Sequence, residues 1–118
     1  MTGAAIVRSE SAGAVVLEVH GAFDGASAWA LCNDMDESSC REFVVDLSHA
    51  VEACDFAAAL LASWARLRPD RSLRFRAGTP AQVTLLRAHG LEVAGGAGAS
   101  PAVAAPPSRP AGVRGVLA

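Results

Sequence analysis

Three cysteines, Cys32, Cys40 and Cys54, and three histidines, His20, His49 and His89, are the residues of this 118-residue chain that could support nucleophilic or metal chemistry. A Cys–His pair would need an imidazole beside a thiol to generate a thiolate nucleophile. A metal site would need thiolates or imidazoles at ligand spacing, and no Cys-x-x-Cys and no His-x-x-x-His occurs. An odd cysteine count without close spacing is not a disulfide framework, so the expectation is three reduced thiols in a cytoplasmic protein. Cys54 reads as a small buried filler. His20 falls at the end of a strand pattern, and His89 near a helix C-terminus, where partial positive charge is favourable. The residues therefore predict no catalysis, no metal and no cofactor.

Charge is the other candidate chemistry. Residues 1–55 hold ten carboxylates and two arginines, whereas residues 56–118 hold two carboxylates and eight arginines. The cluster Arg66, Arg68, Arg71, Arg74 and Arg76 could bind phosphate groups or an acidic partner; the plainer reading is a solvated sheet face and helix end. A net charge of −2 and the lack of interleaved aromatics argue against nucleic acid. Gly95-Gly96-Ala97-Gly98 follows no strand pattern and opens no helix, so it is not a phosphate loop.

The elements that must position these residues follow from periodicity. At 12.0 kDa and 52% hydrophobic residues, the chain carries one core. Its apolar runs are shorter than the roughly 20 residues of a membrane-spanning helix, and residues 1–8 do not read as a secretory signal. A first strand over 5–9 and a second over 14–20 flank Ser11-Ala12-Gly13 and predict a hairpin, with Val15, Leu17 and Val19 on one face and Gly21 ending the run. Ala28, Leu31, Cys32 and Met35 form one helical stripe behind an N-cap at Asp24 or Ser27, with Asp34, Asp36 and Glu37 facing solvent. A strand over 43–48 precedes an Ala-rich helix over 56–67, whose inner face would hold Ala57, Leu60, Leu61, Trp64 and Leu67 before Pro69 stops it. Leu73, Phe75 and Ala77 point inward from the next strand. Thr79, Pro80 and Gln82 read as a capping box opening a last helix that closes at His89-Gly90. Residues 94–118 are Gly/Ala/Pro-rich and predict a flexible tail, with 113–118 able to dock as a short strand. The sum is an α/β domain over 1–93: a mixed four- to five-stranded sheet, helices on one side, and a right-handed parallel β-α-β unit over 43–77.

With this order, three stretches resemble the STAS domain of bacterial anti-sigma-factor antagonists. Gly21-Ala22-Phe23-Asp24 is similar to the family's Gly-x-Leu-Asp. Phe43-Val44-Val45-Asp46-Leu47-Ser48 is similar to its Leu-Asp-Leu-Ser strand. Gly78 to Val83, followed by Leu86, Gly90 and Leu91, is similar to its last strand-helix stretch. Phosphorylated members carry Asp-Ser-Ser-Gly at the head of the second main helix, where this chain reads Glu52-Ala53-Cys54-Asp55-Phe56-Ala57-Ala58. In a gapless register the acceptor position falls on Asp55; with one inserted residue it falls on Phe56. Neither carries a hydroxyl, which makes Asp55 and Phe56 a degenerate phosphorylation site. Asp55 reads equally as an N-cap.

The resemblance implies a non-catalytic regulator of transcription signalling that binds an anti-sigma factor or related kinase-type regulator. Its partner face would comprise Asp24, Ser48, His49, Cys54, Asp55, Phe56 and Ala57. Nucleic-acid binding and membrane insertion are not expected, and pairing into a homodimer is open. The alternative is a small cytoplasmic adaptor subunit of a lipid-handling ABC transporter.

Overall fold

The computed structural model describes residues 5–93. The tail expected over 94–118, with its docked strand over 113–118, lies outside the described residues.

Strands β1 (Ala5–Ser11) and β2 (Ala14–Phe23) form the expected antiparallel hairpin, closing at the Ser11–Ala14 pair. Ala12 and Gly13 both have positive φ, 52° and 83°. Two successive left-handed residues give the turn a twist that matches its strands, at a cost to Ala12 that a glycine would not incur. Val15, Leu17 and Val19 are fully buried, as their alternation requires.

β2 does not end at Gly21. That residue takes φ 106°, and the pairing register shifts between Gly21 and Ala22. Before the shift β2 pairs in parallel with β3 (Glu42–Asp46); after it, with β4 (Ala50–Ala53). The glycine is thus a bulge that re-aims the strand, and β2 continues to the fully buried Phe23. β5 (Ser72–Arg76) joins β3 in parallel, and β6 (Glu92–Val93) joins β5, giving the order β1-β2-β3-β5-β6 with β4 attached to the far end of β2. The two short strands raise the sheet from the expected four or five strands to six. Both escaped the sequence reading because Ala50-Val51-Glu52-Ala53 and Glu92-Val93 are too short for a period to show.

Three helices cover one face: α1 (Gly25–Glu37), α2 (Asp55–Arg66) and α3 (Pro80–Ala88). Ala28, Leu31, Cys32 and Met35 of α1, together with Leu61 and Trp64 of α2 and Leu86 of α3, join Val15, Leu17, Phe43, Val45 and Phe75 in a single core. The buried stripe of α2 runs through Ala57, Ala58, Leu61, Ala62 and Trp64. Leu67, expected inside, is 76% exposed, because it caps the helix beyond the last core layer. Asp36, expected to face solvent, accepts from Trp64 Nε1 at 3.0 Å and from Arg68 at 2.7 and 3.0 Å. It ties the end of α1 to the end of α2.

The cap of α3 also departs from the expected box. Gln82 N–H donates to Thr79 Oγ1 at 3.2 Å, but the Gln82 side chain passes Thr79 by. Its Oε1 accepts from Gly78 N–H at 2.6 Å and its Nε2 donates to Leu47 O at 3.1 Å. A buried amide thus joins α3 to the end of β3. Gln82→Ala is expected to lower stability by about 1–2 kcal/mol in chemical denaturation, since it strands the buried Leu47 carbonyl and removes the partner of the part-buried Gly78 N–H.

Candidate functional site

The parallel pairing of β2 and β4 brings two helix starts side by side. Cys54 N–H donates to Phe23 O at 2.9 Å, so the residues that leave the two strands are adjacent. Asp24 caps α1: Ser27 N–H donates to its Oδ1 at 3.0 Å, and its own N–H donates to Ser27 Oγ at 2.9 Å. Both N-cap readings of the sequence were therefore partly right, with Asp24 as the cap and Ser27 completing the box. Cys54 occupies the N-cap of α2 without a side-chain hydrogen bond, and Asp55 is the first helical residue.

The Asp55 side chain is 82% exposed, and its Oδ1 lies 2.8 Å from Nε2 of His89, at the C-cap of α3. A carboxylate here is favoured by the helix terminus by about 0.3–1 kcal/mol. Phe56 is 61% exposed, and its ring lies where a Cβ on Gly25 would sit only 3.1 Å away. A larger residue at the start of α1 would require the ring to shift by a few tenths of an ångström. Trp29, 59% exposed, lies one turn further along the same face of α1. Val51 on β4 is 81% exposed. Sequence reasoning singled out neither Trp29 nor Val51, because an exposed apolar side chain leaves no mark in a periodic pattern.

The residues assigned to one partner face divide into two groups. Asp24, Cys54, Asp55 and Phe56 gather at the helix heads. Ala57 belongs to the core: it is fully buried, because it faces inward on the first turn of α2. Ser48 and His49 lie at the other end of β4, about 13 Å away along four residues of strand. There they meet the sheet face that the helices leave open. His49 stacks on His20, with ring centroids 4.5 Å apart and an interplanar angle of 26°. His20 Nε2 is 3.0 Å from Glu18 Oε1. Ser48 Oγ donates to Asp46 Oδ1 at 2.7 Å, Ser48 N–H donates to the same oxygen at 2.9 Å, and Arg76 Nη1 donates to Asp46 Oδ2 at 3.3 Å. Burial pushes the Asp46 carboxyl up, but the two Ser48 hydrogen bonds and the Arg76 cation more than offset it, and hold it below the ordinary aspartate value.

The thiols do not form a site. Cys32 is buried, and desolvation, with a smaller push from Asp36, raises it to about 11, so it stays a protonated thiol. Four of the five clustered arginines are dispersed into structural contacts, whereas the buried Nε of the fifth, Arg74, has no hydrogen-bond partner among the described residues. Arg68 pairs with Asp36 and lies 4.8 Å over the Trp64 ring; Arg71 lies over Phe43 and donates to Met35 O; Arg66 donates to Ser63; and Arg76 pairs with Asp46.

No family model and no curated protein matches the sequence. Solved structures do match the fold. An anti-sigma factor antagonist from Mycobacterium paratuberculosis aligns with a TM-score of 0.64 at 20% identity, over 77% of this chain and 85% of that one. SpoIIAA, an anti-sigma factor antagonist in its unphosphorylated form, aligns with a TM-score of 0.60 at 11% identity, over 74% and 82%. RsbS from Moorella thermoacetica, in a form with one serine replaced by glutamate, aligns with a TM-score of 0.57 at 16% identity, over 75% and 85%. The architecture is the STAS fold of these antagonists, in agreement with the resemblance in the sequence. Among the described residues no helix is long and apolar enough to cross a membrane.

Proposed function

We propose that this chain is a non-catalytic, cytoplasmic regulatory domain of bacterial transcription signalling that binds a kinase-type anti-sigma factor, with the helix heads as its docking face. The observation that carries this reading is the head of α2, where a solvent-facing carboxylate and an exposed phenyl ring stand side by side. Phosphorylation of a serine there would add about −1.5 to −2 charges at a helix N-terminus. Asp55 supplies a permanent single negative charge at that end, so the domain is not switched by phosphorylation at this place. That a glutamate-for-serine form of RsbS has the same fold is consistent with an acid replacing a serine in such a protein. Phe56, with Trp29 beside it on α1, supplies the apolar anchor. The comparisons lend no support to the transporter-adaptor alternative.

The test mixes the protein with ATP and a kinase-type anti-sigma factor from the same organism, and follows intact mass and complex formation. The expected result is a micromolar complex with no gain of phosphate. Phe56→Ala is expected to weaken it at least about tenfold, as loss of an interfacial aromatic anchor does. A phosphate mapped to Ser48 or Ser63, or no complex at all, would overturn the reading.

A further inference from the structure

We propose that Glu18, His20 and His49 form a binding site for a divalent transition-metal ion that favours imidazole, of the Zn²⁺ or Ni²⁺ kind, on the sheet face opposite the helices. One carboxylate oxygen and one nitrogen from each ring lie within 4.8 Å of one another. Glu18 and His20 are two residues apart on β2 and therefore share a face. The turn after β3 brings His49 to them across a gap of 28 residues, and for that reason the sequence shows no ligand spacing.

Two imidazoles and a carboxylate are a donor set that such ions accept, with coordination positions left for water or for a donor on a partner. Metal–nitrogen bonds of about 2.0–2.1 Å require donors about 3.3 Å apart, so the group must close by up to about 1.5 Å and the stacked rings must turn until both lone pairs meet at the ion. The His49 side chain is exposed, so rotation about its own side-chain bonds makes that movement while the turn backbone stays in place. Its tautomer is already suited to it. Ser48 Oγ gives its single proton to Asp46, so the 3.3 Å contact between Ser48 Oγ and His49 Nδ1 must use a proton on Nδ1. Nε2 of the neutral ring is then left with a free lone pair. A hydrogen bond to the non-ligating nitrogen is the usual way in which a metal-binding histidine is oriented. At His20, Nε2 donates to Glu18, and a metal ion would take the place of that shared proton, which leaves to solvent. Arg76, two strands across, is paired with Asp46 and so is not an uncompensated cation opposite the site.

The full-length protein, freed of metal with a chelator, is titrated with Ni²⁺ and with Zn²⁺ by calorimetry. One equivalent is expected to bind at micromolar concentration. His20→Ala and His49→Ala should each weaken binding at least about tenfold, whereas His89→Ala and the Cys40→Ser, Cys54→Ser pair should leave it unchanged. Circular dichroism shows whether each variant is folded. A second readout needs no variant: substoichiometric Cu²⁺ should broaden the imidazole resonances of His20 and His49 before those of His89. Binding only above millimolar concentration, binding lost with the cysteines, or broadening centred on His89 would overturn the assignment.

Discussion

Asp46→Ala is expected to lower the free energy of unfolding by about 2–4 kcal/mol, one of the two largest single-site effects in this molecule. The Asp46 side chain is only 5% exposed, and its two oxygens accept three hydrogen bonds from Ser48 and Arg76. Alanine removes all three and leaves the turn after β3 without its fastening. Arg76, 53% exposed, recovers hydration, so the ion pair itself contributes a minor share. The effect should also depend on pH. Because the folded-state pKa lies below the unfolded value of about 3.9, the unfolded chain binds more protons in the interval between them. Asp46 then stabilises the fold fully above about pH 4, and the contribution is lost as pH falls through the folded value. Urea unfolding of the wild type and Asp46→Asn, with chelator present, should give a stability difference that is constant near neutrality and shrinks below about pH 4. A difference independent of pH down to acid unfolding would mean that the carboxylate charge is not what the turn uses.

Gly78→Ala is expected to cost about 2–3 kcal/mol, although it adds a single methyl group at an exposed position. A Cβ on residue 78 would lie 2.8 Å from Ser48 Cα and 3.3 Å from Ser48 O. These are backbone atoms of a turn that cannot yield: Leu47 N–H donates to Arg76 O at 2.8 Å, Ala50 N–H donates to Leu47 O at 3.0 Å, and Asp46 holds Ser48 from the other side. Gly78 cannot yield either, because its N–H is bound to Gln82 Oε1. Thermal and urea unfolding measure the loss. A change below about 0.5 kcal/mol would show that the turn moves aside freely.

The sequence announced this fold wherever a residue's environment is set by its own element. The alternation at Val15, Leu17 and Val19, the stripe at Ala28, Leu31, Cys32 and Met35, and the Thr79–Pro80 helix start all appear as their periods and caps require. The misreadings fall where a distant element decides. Gly21 reads as a stop, but it is a bulge because β4 is waiting to pair beyond it. Gln82 reads as a local cap, but its amide is drawn to Leu47, thirty-five residues earlier. Asp36 reads as solvent-facing, but the end of α2 delivers Trp64 and Arg68 to it. The candidate site follows the same rule. Asp55 and Phe56 could be picked out because the resemblance places a motif at the head of the second main helix, whichever of its two registers is used. The meeting of His20 with His49, and the division of the partner face into two groups, required the register of β2 against both β3 and β4.

Strand β4 has four residues and no slack. At one end the Ser48–His49 turn is pinned by Asp46 and Gly78; at the other, Cys54 is hydrogen-bonded to Phe23 and begins α2. A strand held in this way behaves as a rigid rod between the open sheet face and the helix heads. If the proposed ion and the proposed partner both bind, any effect of one on the affinity of the other must be matched by an equal effect in return, and β4 is the direct covalent connection between their two sites.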